Sequence, residues 1–579
     1  MAIRRGYALL FLIFVTLGIY YPSIFAEISP VDDVQIITSY INTDRFDLKT
    51  LFIPNGGYYY RPLLGLTLIF DKFAWEMHES FIHLENILIH AINVILVYLI
   101  TEIIARRYEI KSAFLPLIAS FLFAVHPINT ESVNWIAGRT DLLAGFFLLI
   151  SILLILKSLE SSSQSCGIAG VMLFFMACMS KEVAVSALPG LLAIIFFYDQ
   201  QGSYRERLRK NWASSGALLF TVLFFSLLML RFFIFNRGDN GIKLLTSTHS
   251  NSVSDLLSHS RLVFTALGFY VKKLFIPWPL NFAIVKVSGY YIWVGVAALV
   301  YVFFLFVKRG LLSALVITTI ALISPALLVS VARMTWTPLA ERYLYMPNAL
   351  FCIIITVIAY KKLSFDKAFA SKLLLISLIL LFIFISHSTV KRNILWQDNV
   401  ALMRDTLRNS PDFYLAQNAL AFSLKQKNRY DESRALMMSI KAPDGSKRGG
   451  KLIDSNQAMI LVAQGDFYGA KKLLLRNSEN AGVLHSRILE NLVSVNLHLL
   501  AREKNEEKVL TLKKETVGFL LELHEKSGDP FYYYRIGQFY LNTGDKLKAS
   551  HYFSEAAQRS PQGTHYKLAA EKLSNKLKE

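Results

Sequence analysis

The chain has 579 residues, of which 54% are apolar against about 45–50% in an ordinary soluble domain. Charged residues make up only 18% and mean hydropathy is +0.41, so most of the chain belongs in lipid and a soluble enzyme is excluded. The formal charge is +19, and Cys166, Cys178 and Cys352 all lie inside apolar runs, which excludes a disulfide framework and a thiolate zinc module.

The first apolar run covers residues 7–26. Its end, Ile24-Phe25-Ala26-Glu27, lacks the small-x-small pattern of a cleavage site, so the run reads as a span rather than a removed leader. Further spans are predicted at 81–104, 142–156, 183–198, 217–235, 291–307, 311–331, 344–360 and 373–387. Two runs, 113–125 and 167–179, fall short of the roughly 20 residues that cross a bilayer. Tilt or flanking residues complete them, giving about eleven spans. Residues 261–276 carry Arg261, Lys272 and Lys273 and lead into Pro277-Trp278-Pro279; they read as an interfacial or re-entrant helix.

Lysine and arginine set the orientation, because cytoplasmic loops carry the positive excess. Arg4-Arg5, Arg106-Arg107-Lys111, the group Arg205, Arg207, Arg209 and Lys210, then Lys308-Arg309 and Lys361-Lys362 fall on alternate loops without conflict. Counting 261–276 as a span would put the last two outside. Much of the +19 therefore anchors inner loops to anionic lipid. Membrane lipids are expected partners and nucleic acid is not.

Near residue 390 the chain changes character: apolar runs stop and charge becomes dense. The expected organisation is all-α, with an integral membrane domain over 1–390 and a helical repeat domain over 391–579, the latter outside the cytoplasm. The first outer loop of the membrane domain covers 27–80. In the repeat domain, Gly537, Tyr540, Gly544-Asp545, Ala549, Phe553, Ala556 and Pro561 match the 34-residue tetratricopeptide pattern. Small residues in that pattern let two helices approach, and large ones fill the gap. Ala458, Gly465-Asp466-Phe467 and Ala470 form a second copy, and Leu420-Ala421, Arg429-Tyr430 and Ser433 a weaker third. About four helix pairs would make a short superhelix whose concave face binds extended peptide; the alternative is a purely structural cap on the membrane domain.

Under this topology the unusual polar residues open on one face. The first outer loop holds Val31-Asp32-Asp33-Val34 and Tyr58-Tyr59-Tyr60-Arg61-Pro62-Leu63. The second holds His126-Pro127-Ile128-Asn129-Thr130-Glu131, then Trp135, Gly138-Arg139 and Asp141. Ser180-Lys181-Glu182 and the stretch from Arg333 to Pro347, containing Glu341-Arg342-Tyr343-Leu344-Tyr345, complete the set. Charges near membrane depth are costly and face partners or a cavity. A carboxylate there can take a proton from a hydroxyl, and converging cations can stabilise a departing phosphate. The plainer reading is that Asp32-Asp33 caps a helix while Lys181-Glu182 and Glu341-Arg342 are local ion pairs.

Taken in order, these motifs and the terminal repeats resemble the transmembrane-and-tetratricopeptide-repeat O-mannosyltransferases and their bacterial relatives, in the GT-C glycosyltransferase superfamily. The most specific segments are His126-Pro127…Gly138-Arg139-x-Asp141 and Glu341-Arg342-x-Leu344-Tyr345-Met346-Pro347. The resemblance implies an inverting transferase that moves a mannose-like hexose from a polyprenyl-phosphate donor to a hydroxyl of an extracytoplasmic protein or peptide. It implies Asp33, or Asp32, as the base, and Lys181, Arg342, Arg61 or Arg139 on the donor phosphate. His126, Glu131, Asp141, Tyr60, Glu341 and Tyr345 are candidates for the substrate pocket. A monophosphate donor beside cations requires no metal, and no cofactor is expected. The acceptor would be a protein or peptide held by the repeats; a glycolipid or polysaccharide acceptor, or a non-catalytic scaffold, are the alternatives. The repeat array is shorter than in animal members, which with the compact loops favours a bacterial inner membrane and periplasmic repeats. In a eukaryote the same face would be the lumen.

Overall fold

The computed structural model describes residues 2–34, 36–37, 51–52, 60–198, 215–229, 253–332, 337–362, 368–440, 447–478, 485–560 and 566–577. Tyr58, Tyr59, the group Arg205 to Lys210, residues 230–235 of the 217–235 run, Arg333 and Pro561 lie outside these residues. Among the described residues all regular structure is helical, apart from one isolated antiparallel bridge between Ile284 and Leu339. The chain divides into two compact units, Met1–Pro411 and Asp412–Glu579.

Among the described residues of the first unit, seven helices are long and apolar enough to cross a membrane: Arg5–Phe25, Glu79–Arg107, Ile136–Ser161, Tyr291–Lys308, Leu311–Val331, Glu341–Lys362 and Ile376–Leu395. Phe114–Val125 and Pro127–Asn134 would make an eighth together, bent by 47°. The break has a local cause. Pro127 donates no N–H and pushes His126 into an extended conformation, at φ −67° and ψ 120°. Gln164–Ser180, Glu182–Phe197 and Ser215–Met229 are shorter apolar helices. Each expected span thus coincides with an apolar helix, although only seven meet length and hydropathy alone. The helix Val253–Phe275 is not among them.

Glu79–Arg107 is the most deeply packed of the long helices together with Glu341–Lys362. Along it, His83, Asn86, His90 and Asn93 are all fully buried. Their spacing of three, four and three residues puts them on one face of the helix. Asn86 donates to the carbonyls of Val133 and Trp135 at 3.3 and 3.4 Å. Asn93 donates to the Leu142 carbonyl at 3.0 Å. This polar stripe ties the central helix to the elements that carry the candidate residues.

Val253–Phe275 and Tyr291–Lys308 cross with their backbones nearly touching. A Cβ on Gly268 would lie 1.9 Å from the Tyr291 carbonyl oxygen, and one on Gly295 would lie 2.0 Å from that of Phe264. Only glycine fits both positions.

The first unit ends beyond the change of composition near 390, because Asn399–Asn409 is fastened to it. Asn399 donates through its backbone N–H to Glu27 at 2.8 Å and through its side chain to the Ile28 carbonyl at 2.8 Å. Arg392 pairs with Asp405 at 2.6 Å.

The second unit is a run of helices from Tyr414–Gln426 to Lys567–Lys576. Phe531–Asn542 packs closely on Lys546–Arg559: a Cβ on Gly537 would come within 2.7 Å of the Phe553 ring. Between them Gly544 takes φ +88°, and Asp545 caps the second helix by accepting the Lys548 N–H at 3.1 Å.

Candidate functional site

The loop after the first helix presents two carboxylates to different surroundings. Asp32 takes φ +65°, in the left-handed region that is costly without glycine. Asp33 is buried at 1% exposure, and its carboxylate accepts the N–H groups of Ala137 at 2.8 Å, Ser29 at 3.2 Å and Ile136 at 3.4 Å. It pins the loop to the turn that opens Arg139–Ser161. Val31 reinforces the attachment, its carbonyl accepting the Trp135 indole N–H at 3.0 Å. Asp32, in contrast, keeps solvent-exposed surface, although protein surrounds its carboxyl group. Desolvation by the surrounding protein raises its pKa, while the nearby charges of Arg342 and Arg61 act in the opposite sense.

Three ion pairs stand in the same region. Arg61 grips Glu182 with two hydrogen bonds, at 2.9 and 2.6 Å. Lys181 donates to both oxygens of Asp141, at 2.6 and 2.7 Å. Arg342 donates to Glu131 through its guanidinium at 2.6 Å and its backbone N–H at 3.1 Å. Aromatic faces connect the last two. The Arg342 guanidinium carbon lies 4.8 Å from the centre of the Trp135 ring and 4.9 Å from that of Tyr343. The Lys181 ammonium is 5.6 Å from the same Tyr343 ring.

Lys181-Glu182 and Glu341-Arg342 are therefore not local ion pairs. Lys181 reaches Asp141, Glu182 reaches Arg61, Arg342 reaches Glu131, and Glu341 reaches Lys273 at 2.6 Å. The physical reason is the backbone. Lys181 is extended, at φ −154° and ψ 125°, just before the 3-10 helix Glu182–Ala187, and Glu341–Leu344 is a 3-10 turn, in which successive side chains point about 120° apart. Neighbours in the chain must find different partners.

Other candidate residues have their polar groups committed inside the fold. Arg139 is fully buried, donating to Asp71 at 2.6 Å, Asn86 at 2.8 Å and the Ile82 carbonyl at 2.8 Å, with Glu85 at 3.2 Å. Its guanidinium is an interior brace. Tyr345 bonds to His90 at 2.8 Å and Asn93 at 2.9 Å. Tyr60 donates to the Phe52 carbonyl at 2.8 Å, and His126 accepts the Ile128 N–H at 3.4 Å. Glu341 is held by Lys273 and by the Asn281 N–H at 3.0 Å.

The sequence reading did not single out Glu182, Trp135, Tyr343 or Lys273 for the site. The helical spacing of His83, Asn86, His90 and Asn93 was the one periodic signal that marks the supporting layer in advance. The assembled group is an exposed carboxylate within electrostatic reach of two cations, beside a third, with each cation already held by an acid. Such an arrangement can accept a proton at Asp32 and bind an anionic group at Arg61, Lys181 and Arg342.

No family model matches the chain. It is similar to a protein O-mannosyl-transferase of Caenorhabditis elegans, at 25% identity over 376 residues, which is 63% of this chain and 50% of that protein. It is also similar to protein O-mannosyl-transferase TMTC1 of Homo sapiens, at 37% identity over 101 residues, 17% of this chain and 11% of the relative. A third relative is protein O-mannosyl-transferase TMTC4 of Homo sapiens, at 32% over 151 residues, 23% of this chain and 20% of the relative. All three are named protein O-mannosyl-transferases. The matches span half of the nematode protein and a fifth or less of the human ones.

Proposed function

We propose that this chain is a membrane glycosyltransferase that moves a mannose-like hexose from a polyprenyl-phosphate donor to a hydroxyl of a protein or peptide, with inversion at the sugar carbon. The observation that carries the reading is Asp32: an exposed carboxylate beside Arg342 and Arg61, with Lys181 joined to Arg342 across Tyr343. The names of the relatives support the sugar and the protein acceptor.

In this mechanism the acceptor hydroxyl gives its proton to the Asp32 carboxylate as its oxygen attacks the anomeric carbon. The bond from that carbon to the phosphate oxygen breaks on the opposite face, and the electron pair stays with the phosphate. Arg342, Lys181 and Arg61 would stabilise the charge that grows there. Asp33 holds the loop that presents Asp32; the proposal therefore takes Asp32 as the base. Glu131, Asp141 and Glu182 orient the cations, and the Trp135 and Tyr343 rings lie 4.8 and 4.9 Å from the Arg342 guanidinium carbon. Arg139, Glu341 and Tyr345 support this layer from within.

The proposed orientation puts these loops and the second unit on the non-cytoplasmic side of the membrane, in a fold of the GT-C kind with about eleven spans. The second unit, as tetratricopeptide-like repeats, would receive the acceptor polypeptide. The test is transfer of labelled hexose from a short-chain polyprenyl-phosphate mannose to a serine- and threonine-containing peptide by the purified full-length protein. Asp32→Asn is expected to reduce transfer by about 10²-fold or more while leaving donor binding intact. Full activity of a folded Asp32→Asn protein would remove the general-base assignment, and a glycolipid product formed in place of glycopeptide would move the acceptor assignment to lipid.

A further inference from the structure

We infer that Lys273 is a positioning residue for Arg342, acting through Glu341 and touching no substrate. The inference rests on Arg342 as a donor-phosphate group, as proposed above. Lys273 lies in the last turn of Val253–Phe275 and is 2% exposed. Its ammonium donates to Glu341 at 2.6 Å, to the Pro277 carbonyl at 2.8 Å and to the Pro279 carbonyl. The same Glu341 oxygen accepts the Asn281 N–H at 3.0 Å.

The segment before Arg342 is thus fastened to residues 277–284 from one side. Two further contacts hold it there: the Ala340 N–H donates to the Tyr270 hydroxyl at 3.3 Å, and Leu339 bridges to Ile284. From the other side Glu131 holds the Arg342 N–H at 3.1 Å. Arg342 sits between the two anchors, one residue from the first and directly on the second. The short 3-10 turn Glu341–Leu344 has few hydrogen bonds of its own, so external anchors set its position.

A buried ammonium is expensive unless its partner and hydrogen bonds are in place. Here all three of its partners belong to the frame around residue 341. Removing Lys273 leaves Glu341 as a buried carboxylate without its counter-charge, and relief of that state moves the residue next to Arg342. A displacement of about 1 Å in a binding constellation can cost up to about a hundredfold.

The experiment measures donor KM, acceptor KM and kcat for full-length protein carrying Lys273→Met, Lys273→Arg, Arg342→Gln and the Lys273→Met, Arg342→Gln double, with a short-chain polyprenyl-phosphate mannose and a peptide acceptor. Lys273→Met is expected to raise donor KM roughly tenfold or more, with acceptor KM unchanged. Lys273→Arg should recover most of the loss. In the Arg342→Gln background, Lys273→Met should add less than about threefold, because the two act through one contact. Fully multiplicative effects would overturn the inference. If Lys273→Met does not fold, Lys273→Met with Glu341→Gln removes the buried charge along with its partner, and a wild-type donor KM in that folded protein would overturn it equally. Unchanged donor KM in Arg342→Gln would instead overturn the role of Arg342 on which the inference stands.

Discussion

Asp32 and Asp33 are consecutive, yet the first is exposed and the second is buried beneath three backbone N–H donors. The left-handed conformation of Asp32 accompanies this divergence. The pair therefore separates into an accessible residue, the proposed base, and an anchoring one. Asp33→Asn places an amide against N–H donors and is expected to lower stability by about 1–3 kcal/mol, read as a fall in melting temperature in detergent. Asp32→Asn should leave the melting temperature unchanged while reducing transfer by about 10²-fold or more. A reversed pattern would exchange the two roles.

The raised pKa of Asp32 gives the reaction a pH dependence with a definite sign. A base works only when deprotonated, so kcat/KM should fall as pH drops through the pKa of Asp32. Because desolvation moves that value upward, the acidic limb should lie above the ordinary carboxylate range. The residual activity of Asp32→Asn should lack this limb. A wild-type profile that stays flat down to the usual carboxylate range would contradict the assignment.

Arg139 was an expected phosphate ligand, and its burial gives it a different consequence. Arg139→Gln leaves Asp71 inside the fold without its cation and should destabilise the protein by about 3–5 kcal/mol. Replacing both, as Arg139→Met with Asp71→Leu, should recover much of that loss. Thermal unfolding of the single and double variants distinguishes this from a role on substrate, for which the double would be no better folded than the single.

The helix positions were legible in the sequence because apolar runs must be about as long as lipid is thick, and among the described residues every such run is helical. Close packing was legible where small and large residues alternate at fixed spacing, as with Gly537 against Phe553. The ion pairs were not. Lys181-Glu182 looks self-sufficient on paper, and nothing local says that Asp141 and Arg61 will take its two halves. That depends on where the extended backbone at Lys181 gives way to the 3-10 helix and on which helices meet across the unit. Lys273 illustrates the same limit: its charge sets its helix apart from the apolar ones, while its partner, Glu341, lies 68 residues further along.

Gly268 and Gly295 offer a test of the crossing between Val253–Phe275 and Tyr291–Lys308. Alanine at either position would bring a methyl within about 2 Å of a carbonyl oxygen, so the helices must separate. Each substitution should cost about 1–3 kcal/mol, measurable as a lower melting temperature in detergent, with leucine worse than alanine. Tolerance of leucine at both positions would show that the helices do not meet this way.

Arg61, Lys181 and Arg342 each already hold an acid, Glu182, Asp141 and Glu131. On the proposed mechanism, a phosphate entering this site would share its cations with residents that never leave. Attraction would be tempered, and after the sugar had gone the waiting carboxylates would compete for the same donors and favour departure of the spent lipid. An enzyme whose product carries more negative charge than its substrate gains turnover from that arrangement, because a site of unpaired cations would hold its product too long.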